Sequence, residues 1–291
     1  MTITFEQPDG DGLGEVVEVL RTWQSDMSPF QLHPGDLGWT WRFGADATAA
    51  AMRTWRRGVD LVAVGVLDEH YMVRLAIAPD AQQDEALAQQ LASDLSDPAC
   101  GVLDGGKVYV EAPPDARLRG LLSESGWLPD AAWTPLRRVL TDPVEDPGVR
   151  IEVVSPPLAP QRTAVQRAAF IGSTFTDERW RCMTEGPAYV DARCLLAFDD
   201  HDVAVAAVTV WSAGPGRPGL IEPMGVHSEH RGHGHGRAIT IAAAAALQTM
   251  GASSATVCTP SSNVGAVATY VSAGFQALAE RRDLRRDALV S

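Results

Sequence analysis

From Glu229 the chain reads EHRGHGHGRAITIAAAAALQTMG, with Gly232, Gly234 and Gly236 at alternate positions before an alanine-rich helix. Four histidines lie in or just before this turn: His227, His230, His233 and His235. The N-terminus of a helix leaves backbone N–H groups unpaired at the positive end of its dipole, where they attract anions. Alternate glycines allow positive φ and keep Cβ atoms out of the path of a bulky anion. Arg231 and Arg237 bracket the turn and are placed to reach phosphate oxygens. A metal site and a plain glycine-rich loop are the competing readings. A metal needs ligands that converge on one point, and His227 and His230 are expected to point away from His233 and His235, so no metal is expected. The glycine spacing also departs from GxxxxGK[ST], since no lysine follows. It departs from GxGxxG as well, since no acidic residue lies about 20 positions on.

Such a turn needs a strand before it and a helix after it. LIEPMGV (220–226) reads as the strand, and the helix begins near His235. ATVCT (255–259) follows as a short β-branched strand, and NVGAVATYVSAGF (263–275) as a helix closed by Gly274. The first half carries the same order. VRLAIAP (73–79) is a strand, DEALAQQLASDL (84–95) a helix, KVYVEA (107–112) a strand, and DARLRGLLSESGW (115–127) a helix closed by Gly126. Gly126 to Gly274 and Asp115 to Asn263 are each 148 positions, and Ile77 to Val226 is 149. The chain therefore reads as two copies of one α/β unit, joined at TDPVEDPGVR (141–150) and divided as 1–146 and 147–291. In the first copy RGHGHG becomes QQDEAL, and Leu122 stands where the second copy has Tyr270.

VHSEHRGHGHGRA, followed after a strand by Asn263 and by Tyr270 with Gly274–Phe275, resembles the GNAT superfamily of N-acetyltransferases. The resemblance is best supported over about 219–275. It implies an α/β fold of two tandem GNAT-like domains with a degenerate N-terminal copy, in a layout similar to that of mycothiol synthase. Each domain is then a mixed, mostly antiparallel sheet flanked by helices. It implies acetyl-CoA as acyl donor, with the pyrophosphate on Arg231, Gly232, His233, Gly234, His235, Gly236 and Arg237. The pantetheine would lie along Gly225, Val226 and Ser228, and Asn263 completes the cofactor set. By the same resemblance Glu222 is a candidate general base, with His227 as the second candidate, and Tyr270 a general acid for the departing thiolate. A backbone N–H near Val226 would polarise the carbonyl. The plain alternatives are a paired strand carboxylate at Glu222 and a packed helix tyrosine at Tyr270.

The implied reaction is direct transfer of acetyl to a primary amine of a small molecule or peptide in a ternary complex. A non-catalytic CoA sensor or scaffold is the alternative. The whole chain is consistent with either. Its 291 residues suit two domains. The net charge of −13 argues against nucleic acid. Residues 1–146 hold 24 acidic and 11 basic side chains, and residues 147–291 hold 13 of each. The acidic half is either a solubilising surface or an attraction for a cationic acceptor. Four scattered cysteines form no CxxC pair and read as buried free thiols. No apolar run is long enough for a membrane span, and the acidic start is unlike a signal peptide, so a cytoplasmic location is expected. Six of the eight tryptophans lie in the first half, where most are expected in the core and one or two on the acceptor pocket. Oligomeric state and the acceptor's identity are left open.

Overall fold

The computed structural model of the chain describes residues 2–288. In the first half the elements are β1 (Ile3–Glu6), α1 (Leu13–Trp23), α2 (Pro34–Thr40), α3 (Ala45–Ala51), β2 (Met52–Arg57), β3 (Asp60–Leu67), β4 (Met72–Ile77), α4 (Glu85–Ser96), β5 (Val108–Glu111), α5 (Arg117–Glu124) and β6 (Leu128–Val139). The second half runs β7 (Arg150–Val153), α6 (Ala159–Ala169), α7 (Asp177–Thr184), β8 (Ala192–Phe198), β9 (Ala204–Trp211), β10 (Gly219–Val226), α8 (His235–Thr249), β11 (Ser254–Pro260), α9 (Val264–Ser272), β12 (Gln276–Ala277) and β13 (Arg281–Arg286). Both halves repeat strand, helix, strand, helix, and both capping glycines, Gly126 and Gly274, adopt positive φ. The mixed α/β architecture expected for each copy is the one observed.

The sheet is continuous across both halves, in the order β1-β2-β3-β4-β5-β13-β6-β11-β10-β9-β8-β7. Two neighbouring pairs are parallel, β4 with β5 and β10 with β11, one in each copy. The helices form the crossovers that parallel pairing demands. At the centre the copies exchange their last strands. β6 of the first half lies beside β11, and β13 of the second half lies beside β5. β6 and β13 then pair with each other, antiparallel, with Arg281 opposite Trp133. The exchange covers the central strand edges, which would otherwise invite pairing with another chain.

Packing also joins the halves. One buried cluster reaches from Leu13 and Leu20 of α1 to Trp180, Trp211 and Leu220. The short helix α2 lies directly on Trp211. A Cβ at Gly35 would stand 2.5 Å from that side chain, and one at Gly38 only 2.2 Å from it. Glycine at these two positions is what allows the backbone of α2 to press on the indole. His33 caps α2, its Nδ1 accepting from the Gly35 N–H at 2.9 Å, and its Nε2 donates to the Pro218 carbonyl at 3.2 Å. Burial pushes the His33 imidazole down to about 4, so it stays neutral at this seam. The result carries Asp36, in the first turn of α2, to the second half. Among the described residues no helix is long and apolar enough to cross a membrane.

Candidate functional site

β10 ends at Val226, and the chain leaves it through a turn at Ser228–His230 before α8 begins at His235. Gly232 and Gly234 both have positive φ, 84° and 85°, and Gly234 is the N-cap of α8. A side chain is strained in that conformation. A Cβ built on either glycine meets nothing within 4 Å, so both border open space. No side chain caps α8, which leaves its first N–H groups available at the positive end of a 15-residue dipole. The turn borders a cleft of about 680 Å³, which Gly225, Val226, Arg231, Gly232, Gly234, His235, Gly236, Arg237 and Asn263 help to line. Arg231 donates from Nη2 to the Ala169 carbonyl at 2.7 Å, and Arg237 from Nε to the Ser272 carbonyl at 2.9 Å. Each arginine therefore braces the end of a neighbouring helix as well as facing the cleft. Ser228 and His233 lie off its wall.

Phe170, Met224, Asn263 and Ala266 line this cleft and also a second cavity of about 430 Å³, so the two spaces adjoin. The second cavity exists because β10 and β11 separate. They pair only at Gly219–Ala255 and Leu220–Thr256, and residues 221–224 and 257–260 then form opposite walls. β10 is also irregular against β9 between Ile221 and Met224, which is where Glu222 lies. The Trp211 indole N–H donates to the Glu222 carbonyl at 2.7 Å and fixes that irregular segment. Tyr270, on α9, is 5% exposed and lines the same cavity. Burial, then the nearby Glu222 and Cys258, push its phenol above the ordinary value, so it is a neutral proton donor.

Glu222 stands between this cavity and a third of about 500 Å³, which it lines together with Asp68 and Arg74. Burial pushes the Glu222 carboxyl up to about 8, with the charge of Asp36 adding to the effect and Arg74 opposing it. Arg74 reaches Asp36 at 2.8 Å and Glu111 at 2.8 Å, and Arg281 reaches Glu111 at 2.9 Å. Burial alone would raise Glu111, but Arg281 and Arg74 together hold it down at about 2. Glu111 therefore stays ionised against two guanidinium groups, while Glu222 keeps a proton affinity near neutrality. A carboxyl with that affinity is matched to accepting a proton from a substrate ammonium.

Residues 164–275 match the family model described as acetyltransferase (GNAT) family. The second half contains a GNAT-family domain. Solved structures extend the likeness to the tandem layout of the whole chain. A tandem GNAT protein from the clavulanic acid biosynthesis pathway is 14% identical, covers 100% of both chains and superposes with a TM-score of 0.63. A GNAT-family acetyltransferase from Colwellia psychrerythraea is 14% identical over 98% of each chain, with a TM-score of 0.62. A GCN5-related N-acetyltransferase from Sphaerobacter thermophilus is 18% identical, with 98% of this chain and 96% of that one covered and a TM-score of 0.57. No curated protein matches the chain. At these identities the structures carry the fold alone.

Within the GNAT domain the histidines are arranged differently from the sequence expectation. The rings of His227 and His230 lie 5.2 Å apart, His230 and His235 6.5 Å, and His233 and His235 6.1 Å. The turn at 228–230 and the two left-handed glycines fold the chain back, so the rings form a row rather than two diverging pairs. Among the described residues no group of three or more His, Cys, Asp or Glu is gathered as a metal-binding set. His227 accepts from the Glu229 N–H at 3.3 Å through Nδ1 and does not line the cavity that Glu222 and Tyr270 share.

The first copy has filled the place that the GNAT domain keeps open. Ile77, the counterpart of Val226, donates its N–H to Gln31 Oε1 at 3.1 Å and accepts from Gln82 Nε2 at 2.9 Å. Asp84 caps α4 by accepting from the Leu87 N–H at 2.9 Å, so an acid occupies the helix end where an anion would sit. The residues that sequence reasoning missed are the first-half and exchanged charges, Asp36, Arg74, Glu111 and Arg281. The one local mark was an acid between glycines, GDLG, opening a short helix. Trp39 and Trp133 do line the cavities next to Glu222, Trp39 the third and Trp133 the second.

Proposed function

We propose that the chain transfers an acetyl group from acetyl-CoA to a primary amine of a small molecule or peptide, directly, in a ternary complex. The observation that carries this is the placing of Glu222 and Tyr270 on one cavity contiguous with the glycine-turn cleft. Acetyl-CoA supplies the acyl group as an activated thioester. The uncapped N-terminus of α8 offers the donors that a pyrophosphate requires, Gly232 and Gly234 border open space, and Gly236 lets α8 lie close to Thr269 and Val226. Gly225, Val226 and Asn263 border the remainder of that cleft.

In this reading the ionised form of Glu222 takes a proton from the acceptor ammonium, and burial, with the charge of Asp36, gives that form its high proton affinity. Tyr270 gives its hydroxyl proton to the departing thiolate. An N–H near Val226 polarises the carbonyl. Residues 147–291 form the catalytic unit, and residues 1–146 wall the acceptor side and exclude water without catalysing. A cytoplasmic setting belongs to the same reading. The test is release of free thiol from acetyl-CoA across a panel of primary amines. Amine-dependent release supports catalysis. Tight acetyl-CoA binding with no release by any amine would favour a sensor or scaffold instead.

A further inference from the structure

Three arginines line the third cavity, and two of them are fully engaged. Arg74 pairs with Asp36 and Glu111. Arg53 donates to the carbonyls of Ala50, Met52 and Gly101. Arg42 is different. Its guanidinium lies 4.2 Å from the ring centroids of both Trp39 and Phe43 and makes one hydrogen bond, from Nη1 to the Trp39 carbonyl at 2.6 Å. Asp68 and Glu222 act on it only through space, and burial lowers it to about 10. Among the described residues no carboxylate forms an ion pair with it.

A guanidinium held between two aromatic rings has fixed geometry, and its unused donors suit the planar fork of a carboxylate. Asp68 and Glu69 at the rim and Asp36 on the wall disfavour a dianion such as phosphate. The rings of Trp39 and Phe43 offer apolar contact to whatever connects the anion to the amine. Glu222 lines the same cavity and is the place for the amine.

We infer that the acceptor is an amino carboxylate, its amine against Glu222 and its carboxylate against Arg42, with an apolar body beside Trp39 and Phe43. This rests on the acetyl-transfer reading for the position of the amine. The Arg42 side of the cavity stands on its own geometry.

The experiment compares matched pairs that differ only in the carboxylate: L-phenylalanine with phenethylamine, L-lysine with cadaverine, and γ-aminobutyrate with propylamine. Calorimetry in saturating CoA gives the affinity of each compound, and thiol release from acetyl-CoA gives its turnover. The expected result is a pair in which the carboxylated member binds about 10–100-fold more tightly, the scale of a charge-assisted hydrogen bond. Arg42→Met should close that gap and Arg42→Lys restore part of it. The gap is read on the unaltered chain, so a poorly folded variant leaves the test intact. Equal affinity within every pair, tighter binding of the plain amine, or no binding of any carboxylated member at millimolar concentration overturns the inference. A gap that survives in Arg42→Met also overturns it. Carboxylated members that bind tightly without being acetylated would defeat the acetyl-transfer reading and leave standing only the carboxylate site at Arg42. Plain amines acetylated as well as their partners would do the reverse.

Discussion

Arg281 stands opposite Trp133 where β13 meets β6, and the two residues are 148 positions apart, the same spacing that separates Gly126 from Gly274. Equivalent positions of the two copies therefore face each other, and a local two-fold axis of the repeat passes between them. The exchanged strand delivers Arg281 to Glu111 of the first half, beside the cavity that Glu222 lines. The seam between copies and the wall of the site are built from the same strand.

Arg281→Met should destabilise the chain by about 3–5 kcal/mol, since it leaves Glu111 buried with only Arg74 as a partner. Glu111 is held down at about 2 against an ordinary value of 4.5. Its contribution to stability is therefore present above pH 4.5 and is lost as pH falls toward 2. Urea unfolding at neutral and at acid pH checks both points. The variant should lose stability at neutral pH and show a shallower loss on acidification. A variant as stable as the parent would mean that the ion network does not hold the halves together.

Glu222→Gln should lower kcat/KM by about 10²–10⁴-fold. In the parent, kcat/KM should rise with pH through about 8 as Glu222 loses its proton, and that limb should vanish in the variant. The same shift has a stability signature. A carboxyl raised from 4.5 to about 8 makes the fold bind an extra proton between those values, so stability falls as pH rises across that window. The amide removes this dependence, and thermal unfolding should show Glu222→Gln gaining on the parent from pH 5 to 9. An unchanged pH–rate limb would move the base to solvent and leave Glu222 a strand carboxylate.

Tyr270→Phe should reduce kcat by about 10²–10⁴-fold with little change in acetyl-CoA affinity, because the hydroxyl acts only as thiolate leaves. Only one oxygen is removed, so the packing of the ring against Phe275, 6.0 Å between centroids, should persist. Steady-state kinetics with a separate binding titration distinguishes the cases. Parent-like turnover, or a loss accounted for by weaker donor binding, returns Tyr270 to a packing role.

Gly234→Val should weaken acetyl-CoA binding about tenfold or more. A β-branched residue at φ 85° is strained by roughly 1–2 kcal/mol or more, and its methyl groups enter the space before α8. Calorimetric titration of the variant is the check. Unaltered affinity would separate the turn from donor binding.

How much of this could be read beforehand depends on how local each feature is. The glycine turn, Asn263 and Tyr270 lie in one short stretch, and the repeat showed as a constant offset, so the α/β units and the cleft beside the glycine turn were legible. The strand exchange was not, since β6 and β13 carry the same pattern whichever copy they join. Asp36, Arg74, Glu111, Glu222 and Arg281 come from five elements, and no spacing in sequence links them. Arg42 gave no sign either, because a guanidinium without a carboxylate is recognised only when its neighbours are known. The row of histidine rings was missed for a related reason: two left-handed glycines reverse the chain, and residue spacing does not encode a reversal.

The central claim is that one copy holds the acyl donor and the other has given up its place to Gln31, Gln82 and Asp84. Calorimetric titration of the full chain with acetyl-CoA tests it most directly. The account predicts a single site per chain, lost or weakened when the turn at Gly234 is altered. Two equivalent sites, or one site indifferent to that turn, would contradict it.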